Sequence, residues 1–226
     1  MRSQQKRLIS INFFVVIFIV GCTDIQINEE RITDTSIGVN EKISFILDRS
    51  TIKDVEDAQR IELKIEKCVA KALKKLAPPI QTVSAESFRK AAFPDMDYLS
   101  VPSSPASILT LLNSSKFNRR IKPLGLRYLL VLQGESDISF KGVAPVGGGP
   151  GAVLVFVWDK KTNMSAYVLD LAKGCNTGGV KTEVLAHGWF VFFGYGFGFP
   201  AISEGPACNA LGKQVASFIA GNRQKQ

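Results

Sequence analysis

Arg127-Tyr128-Leu129-Leu130-Val131-Leu132 decides how the rest of the chain must be arranged. After one charge at its start the run is apolar on both alternating faces, and such a strand belongs at the centre of a sheet, covered on each side. Its upstream counterpart is Lys42–Leu47 (KISFIL), a compact strand bounded by the turn-like Asp48-Arg49-Ser50. Between the two, the apolar period turns helical: Ala58, Ile61, Ile65, Cys68, Val69, Ala72, Leu73 and Leu76 share one face. Asp54 is the candidate N-cap of that helix, and Ala77-Pro78-Pro79 stops it. Ile80–Ser84 reads as a short strand. Ser84-Ala-Glu-Ser-Phe-Arg reads as a capped helix start that runs to Phe93 and ends at Pro94. After a proline-rich loop, Ser107 to Arg119 predicts one helix with Ile108, Leu111 and Leu112 facing in, and Pro123-Leu-Gly turns the chain into the central strand.

Downstream the expectation is mostly antiparallel. Ala144–Ala152 is a Gly/Pro-rich loop and Val153–Trp158 a strand. Lys160-Lys161-Thr162-Asn163 makes a turn, and Ser165–Leu171 returns as the second arm of a hairpin. Ala172–Gly179 is a loop holding Cys175, Val180–Phe193 a strand, and Gly194–Pro200 a glycine-aromatic segment. A closing helix from Ser203 or Glu204 to Ala220 puts Cys208, Leu211, Val215, Phe218 and Ile219 on one face. This order predicts an α/β or α+β fold: a single mixed sheet of about five to six strands with helices packed on it. One globular domain spans residues 41–222, and no internal repeat is visible.

The N-terminus carries the address. Arg2, Lys6 and Arg7 form a basic start, and Leu8–Val20 is an apolar core broken only by Ser10 and Asn12. That core is shorter than the about 20 residues of a membrane-spanning helix and fits a secretory signal over residues 1–21. Its end, Ile19-Val20-Gly21-Cys22, resembles the bacterial lipobox, with Ile in place of the usual Leu. By that resemblance Cys22 takes a diacylglycerol and an N-acyl chain. Each buried methylene adds about 0.8 kcal/mol, so more than one chain anchors firmly. Thr23 rather than Asp after the cysteine leans to the outer membrane, facing the periplasm. Residues 22–40 are polar and read as a flexible tether reaching at most about 60 Å.

Composition excludes little else. The chain has 28 basic and 20 acidic residues, and three of the basic ones lie in the signal. Positives alternate with acids along a helix, as in Lys64, Glu66 and Lys67, which is a solvated face rather than a nucleic-acid groove. No nucleic-acid-binding signature is present.

Several stretches together look like a group of uncharacterised proteobacterial lipoproteins. These are KISFIL, the helix containing Glu66-Lys67-Cys68-Val69-Ala70-Lys71-Ala72-Leu73, QTVS with Phe88-Arg89 and Phe93-Pro94, Leu126–Val131, Ala166–Leu171, and Ala207-Cys208-Asn209-Ala210-Leu211. More distantly, the plan is similar to the α/β domain of the TolB N-terminus, the curli-secretion lipoprotein and the penicillin-binding-protein activator lipoproteins. The resemblance covers about residues 40–220. It implies an interaction or assembly module rather than an enzyme, with Asp170 preceding a turn. The glycine-aromatic segment and Cys175 depart from that plan.

Among candidate sites, Cys68 and Cys208 fall on the apolar faces of their helices. They are either a disulfide, closing a loop of about 140 residues, or two buried thiols. Cys175 is left over as a free thiol. A zinc site from these cysteines and His187 lacks the C-x₂-C spacing, and no cofactor motif is present. Gly147–Gly151 lacks the Gly-Lys-Ser/Thr ending of a phosphate loop, and the spacing in Gly194–Pro200 is not that of a dinucleotide fingerprint. His187 has no G-x-S-x-G nucleophile to serve, and no catalytic constellation stands out. Trp189, Phe190, Phe193, Tyr195 and Phe197 belong to an aromatic run denser than one buried strand face needs. Burial in a central strand is the first reading, and an exposed patch would mark partner or membrane contact. The sequence therefore points to a lipid-anchored envelope protein with a non-catalytic domain that binds another envelope component. Two alternatives remain. One is a membrane-inserting assembly subunit that uses residues 189–199. The other is an envelope hydrolase whose carboxylates would sit in a pocket with shifted titration.

Overall fold

A computed structural model describes residues 23–50, 54–76, 78–146, 153–192, 196–199 and 201–221. At its centre Tyr128, Leu129, Leu130, Val131 and Leu132 have no exposed surface. They lie near the start of β4 (Leu126–Val146), which pairs parallel with β2 (Lys42–Leu47) and antiparallel with β5 (Val153–Asp170). β6 (Cys175–Phe192) lies beside β5, and β3 (Gln81–Thr82) beside β2. β1 (Thr23–Arg31) and β7 (Gly196–Phe199) both pair antiparallel with β6, at different heights. The result is one mixed sheet with strand order β1-β6-β5-β4-β2-β3 and β7 as a further strand on β6.

Alternation along β4 splits the core in two. Tyr128, Leu130 and Leu132 face α1 (Val55–Leu73) and α5 (Glu204–Ile219), joining Phe45, Val69, Leu211 and Phe218. Leu129 and Val131 face the opposite layer. There they meet Phe88, Ile108, Phe117 and Ile121 from α2 (Ala85–Ala92), α3 (Pro105–Leu112) and α4 (Ser115–Ile121). Each such side chain contributes about 1.5–3 kcal/mol when fully buried. Asp54 caps α1 by accepting from the Asp57 N–H at 2.8 Å, and Ser84 caps α2 by accepting from the Ser87 N–H at 3.2 Å.

α1 and α5 are fastened by a disulfide between Cys68 and Cys208, whose Cα atoms are 6.0 Å apart. Gly212 permits that closeness, because a Cβ there would stand 2.9 Å from the Cys68 carbonyl oxygen.

Three expectations are corrected. The tether over residues 22–40 is in large part β1: Thr23 pairs with Ala186 and Arg31 with Gly178, so the sheet already includes residue 23. An edge strand has one neighbour and needs few apolar residues, which is why the polar TDIQINEER did not read as a strand. Its end is bolted to α5. Arg31 donates to the Phe218 carbonyl at 3.0 Å and lies over the Phe218 ring, and Gln214 donates to Glu29 at 2.6 Å.

The turn expected at Lys160–Asn163 is absent, and β5 runs straight through. Those polar residues are held by neighbours: Lys160 by Glu204, Lys161 by Glu183 at 2.7 Å, and Thr162 by Ser203 at 2.6 Å. The real turn is at Leu171–Gly174, where Asp170 accepts from the Ala172 and Lys173 N–H groups and Gly174 adopts φ +65°. Third, the single helix over Ser107–Arg119 is α3 and α4. Ser114 interrupts it by capping a new helix through the Phe117 N–H.

Candidate functional site

Two features stand apart from the packing. The first follows from strand length. β2 leaves β4 at the Leu47–Leu132 pair, yet β4 continues to Val146. β5 and β6 continue with it from Ser136–Thr162–Val184 outward, with a β-bulge in β4 between Phe140 and Gly142, and the three form an arm that extends past the end of β2.

The arm's root is charged. Ser139, Asp159 and His187 lie opposite one another across the three strands. Asp159 accepts from Lys141 at 3.2 Å and sits 2.6 Å from His187 Nδ1. Burial alone would raise the Asp159 pKa, but the bonds from His187 and Lys141 outweigh it and hold the carboxylate below its usual value. Lys160 pairs with Glu204 beside this row. Glu204 is likewise held low, its partial burial offset by the Lys160 bond.

Lys141, in the bulge between the Phe140–Trp158 and Gly142–Val157 pairs, is the outermost charge, and its side chain reaches back to Asp159. Residues 142–158 and 188–203 contain no Asp, Glu, Lys, Arg or His. Register places Phe140, Val143, Leu154, Phe156, Trp158 and Phe190 on one face. Val155, Val157 and Trp189 share the other. Phe140 is 62% exposed, Val143 45% and Leu154 45%. The Phe156 and Phe190 rings lie 6.3 Å apart. Gly188 is required at the root, because a Cβ there would fall against the Trp158 indole.

The residues singled out from sequence fall partly here. Trp189 and Phe190 are half-buried on β6, and Phe197 is in β7 opposite Val191. Phe193, Tyr195 and Cys22 lie outside the described residues, as do Gly147–Gly151. His187 is bound to Asp159 at the arm's root. Cys175 is a free thiol at the first position of β6, not in a loop. Sequence reasoning missed the β4 and β5 half of the arm, whose signal was the charge-free span bounded by Lys141 and Asp159.

The second feature is a cleft of about 740 Å³ between α1, α2 and the loop carrying Tyr98. Glu62, 4% exposed, is its hub. It accepts from the Leu47 N–H at 3.0 Å, from Arg89, and from the Tyr98 hydroxyl at 3.5 Å. The Tyr98 ring lies against both the Arg49 and Arg89 guanidinium groups, 4.5 and 4.6 Å from its centre. Glu66, one turn along α1, accepts from the Ala85 N–H at 3.1 Å. Burial, with the nearby Glu62 charge, pushes the Glu66 pKa up. Burial likewise lowers the Arg49 pKa and raises that of Tyr98. The cleft thus holds one carboxylate with shifted titration, Glu66, beside Glu62, whose oxygens join β2, α1, α2 and the Tyr98 segment.

Among the described residues no group of three or more His, Cys, Asp or Glu is placed to hold a metal ion, and no helix is long and apolar enough to cross a membrane.

No protein-family model matches the chain, and no curated protein matches it. Among solved structures it is similar to the PelC dodecamer from Paraburkholderia phytofirmans, at 11% identity and a TM-score of 0.36, over 91% of this chain and 100% of that one. It is also similar to a putative neuraminyllactose-binding hemagglutinin homolog from Helicobacter pylori, at 6% identity and a TM-score of 0.40, over 85% of this chain and 90% of that one. Likenesses this distant carry no argument about function.

Proposed function

We propose that the protein is a lipid-anchored cell-envelope lipoprotein, held on the outer membrane and facing the periplasm, whose domain binds another envelope component and catalyses nothing. The observation that carries the reading is Ile19-Val20-Gly21-Cys22 at the end of a short apolar run with a basic start. Among the described residues β1 includes Thr23, the residue that follows Cys22 in the sequence. The exposed apolar residues of the arm support contact as the mode of action.

Growth with radiolabelled palmitate tests the anchor: label should enter the mature protein and be lost in Cys22→Ser. An unlabelled, freely soluble product refutes the reading. Crosslinking in intact cells with mass spectrometry, comparing wild type with Cys22→Ser, identifies the bound component.

A further inference from the structure

We propose that the arm of β4, β5, β6 and β7 above the Lys141–Asp159–His187 row is a lipid-contacting element, seated in the bilayer that holds Cys22. The identity of that bilayer rests on the reading above; the arm's affinity for lipid does not.

A sheet that projects into water ordinarily presents polar residues on its uncovered faces. This one presents Phe140, Val143 and Leu154, all exposed, on one face; Val157 and Trp189, on the other, are half-buried, and none of the five belongs to either core cluster. The chemistry is layered along the arm in the order a membrane surface is layered. The ion-paired group of Asp159, His187, Lys160 and Glu204 comes first, and Lys141 reaches back to Asp159 from the bulge beyond it. Trp158 and Trp189 follow in the next two rows, where amphipathic indoles favour the interface. The uncharged residues lie beyond.

The chain's own start fixes the level. Thr23, which follows Cys22, pairs with Ala186, the neighbour of His187. Acyl chains attached one residue earlier would begin close to the charged row. From Asp159 to Val153 the strand rises about 20 Å, more than half of a hydrocarbon core about 30 Å thick. The β4 edge, past its last pair with β2 at Leu132, limits depth, because its backbone groups need water, headgroups or a neighbouring strand.

The chain has two tryptophans, Trp158 and Trp189, and both sit at the boundary, so the native protein carries its own probe. The full acylated chain is reconstituted in phosphatidylethanolamine–phosphatidylglycerol vesicles, with or without bromine on the acyl chains. Tryptophan emission should shift to the blue, be quenched by brominated lipid, and lose access to aqueous acrylamide. Val143→Asp with Leu154→Asp, both exposed and therefore tolerated by the fold, should restore acrylamide access. In protein lacking the acyl chains the same pair should weaken vesicle partitioning about tenfold or more. Emission that ignores brominated lipid, with acrylamide access unchanged from solution, overturns the proposal. Quenching without palmitate incorporation would remove the anchor and leave the arm; incorporation without quenching would do the reverse.

Discussion

Breaking the Cys68–Cys208 bond should cost the protein a large share of its stability without changing its fold. The two residues are 140 apart in sequence, so the closed loop includes β3, β4, β5, β6 and the small helical layer. In the chain-entropy model a loop of that length is worth about 5 kcal/mol, near the top of the range seen for disulfides. The folded state loses little when the bond opens. α1 and α5 still pack through Gly212 on the Cys68 carbonyl and through Val69 and Leu211, both fully buried. With a urea slope of about 2.5 kcal/mol per M, the unfolding midpoint should fall by about 2 M. The assay is urea unfolding followed by far-ultraviolet circular dichroism, with and without a phosphine reductant, and with Cys68→Ala/Cys208→Ala. Cys175→Ala is the control and should shift nothing, since that thiol is free. A shift below about 0.3 M on reduction would show that loop closure does not hold this domain together. An equal shift in the Cys175 variant would show that the pairing is wrong.

Gly178 adopts φ +124°, and a Cβ there would collide with the Glu30 carbonyl oxygen, so Gly178→Ala should lift β1 from β6. Limited proteolysis should then cut within residues 23–31 while the remaining core resists; wild-type resistance in the variant would refute the assignment of β1 as a required edge strand. Glu66 gives a pH signature. Its folded pKa lies above its ordinary value of 4.5, so its contribution is fully present below that value and is lost as pH rises through the raised folded pKa. Glu66→Gln should flatten that part of the thermal-midpoint profile and raise the midpoint at neutral pH relative to wild type. An unchanged slope would sink the account.

What could be read from sequence was what packing dictates from both sides. β2, the first half of β4, α1 and α5 carry apolar residues at the period of their own geometry, and the sheet buries all four. The long strands were not readable because their polar stretches are satisfied by partners distant in sequence. Lys160-Lys161-Thr162-Asn163 has the composition of a turn and none of its backbone requirements, and Glu204, Glu183 and Ser203 keep it extended. β1 was hidden for a related reason. It needs only backbone pairing along β6 and an anchor on α5, and neither leaves an apolar period.

The two candidate sites were half-legible in opposite ways. Glu62 falls on the stripe Ala58, Ile65, Val69 and Leu73 and was passed over in the sequence, although a carboxylate inside an apolar helix face is its signal; its partners Leu47, Arg89 and Tyr98 leave none. In the arm, the aromatic run after His187 stood out, but its meaning depended on which strands lay beside it. Charge spacing separates a buried strand from an exposed one better than hydrophobicity does. Lys141 with Asp159 and His187 with Glu204 bound the two uncharged spans, and the fold gathers all four residues at the arm's root. A buried core has no reason to align the charged ends of separate segments near one height, whereas the proposed lipid-contacting arm would.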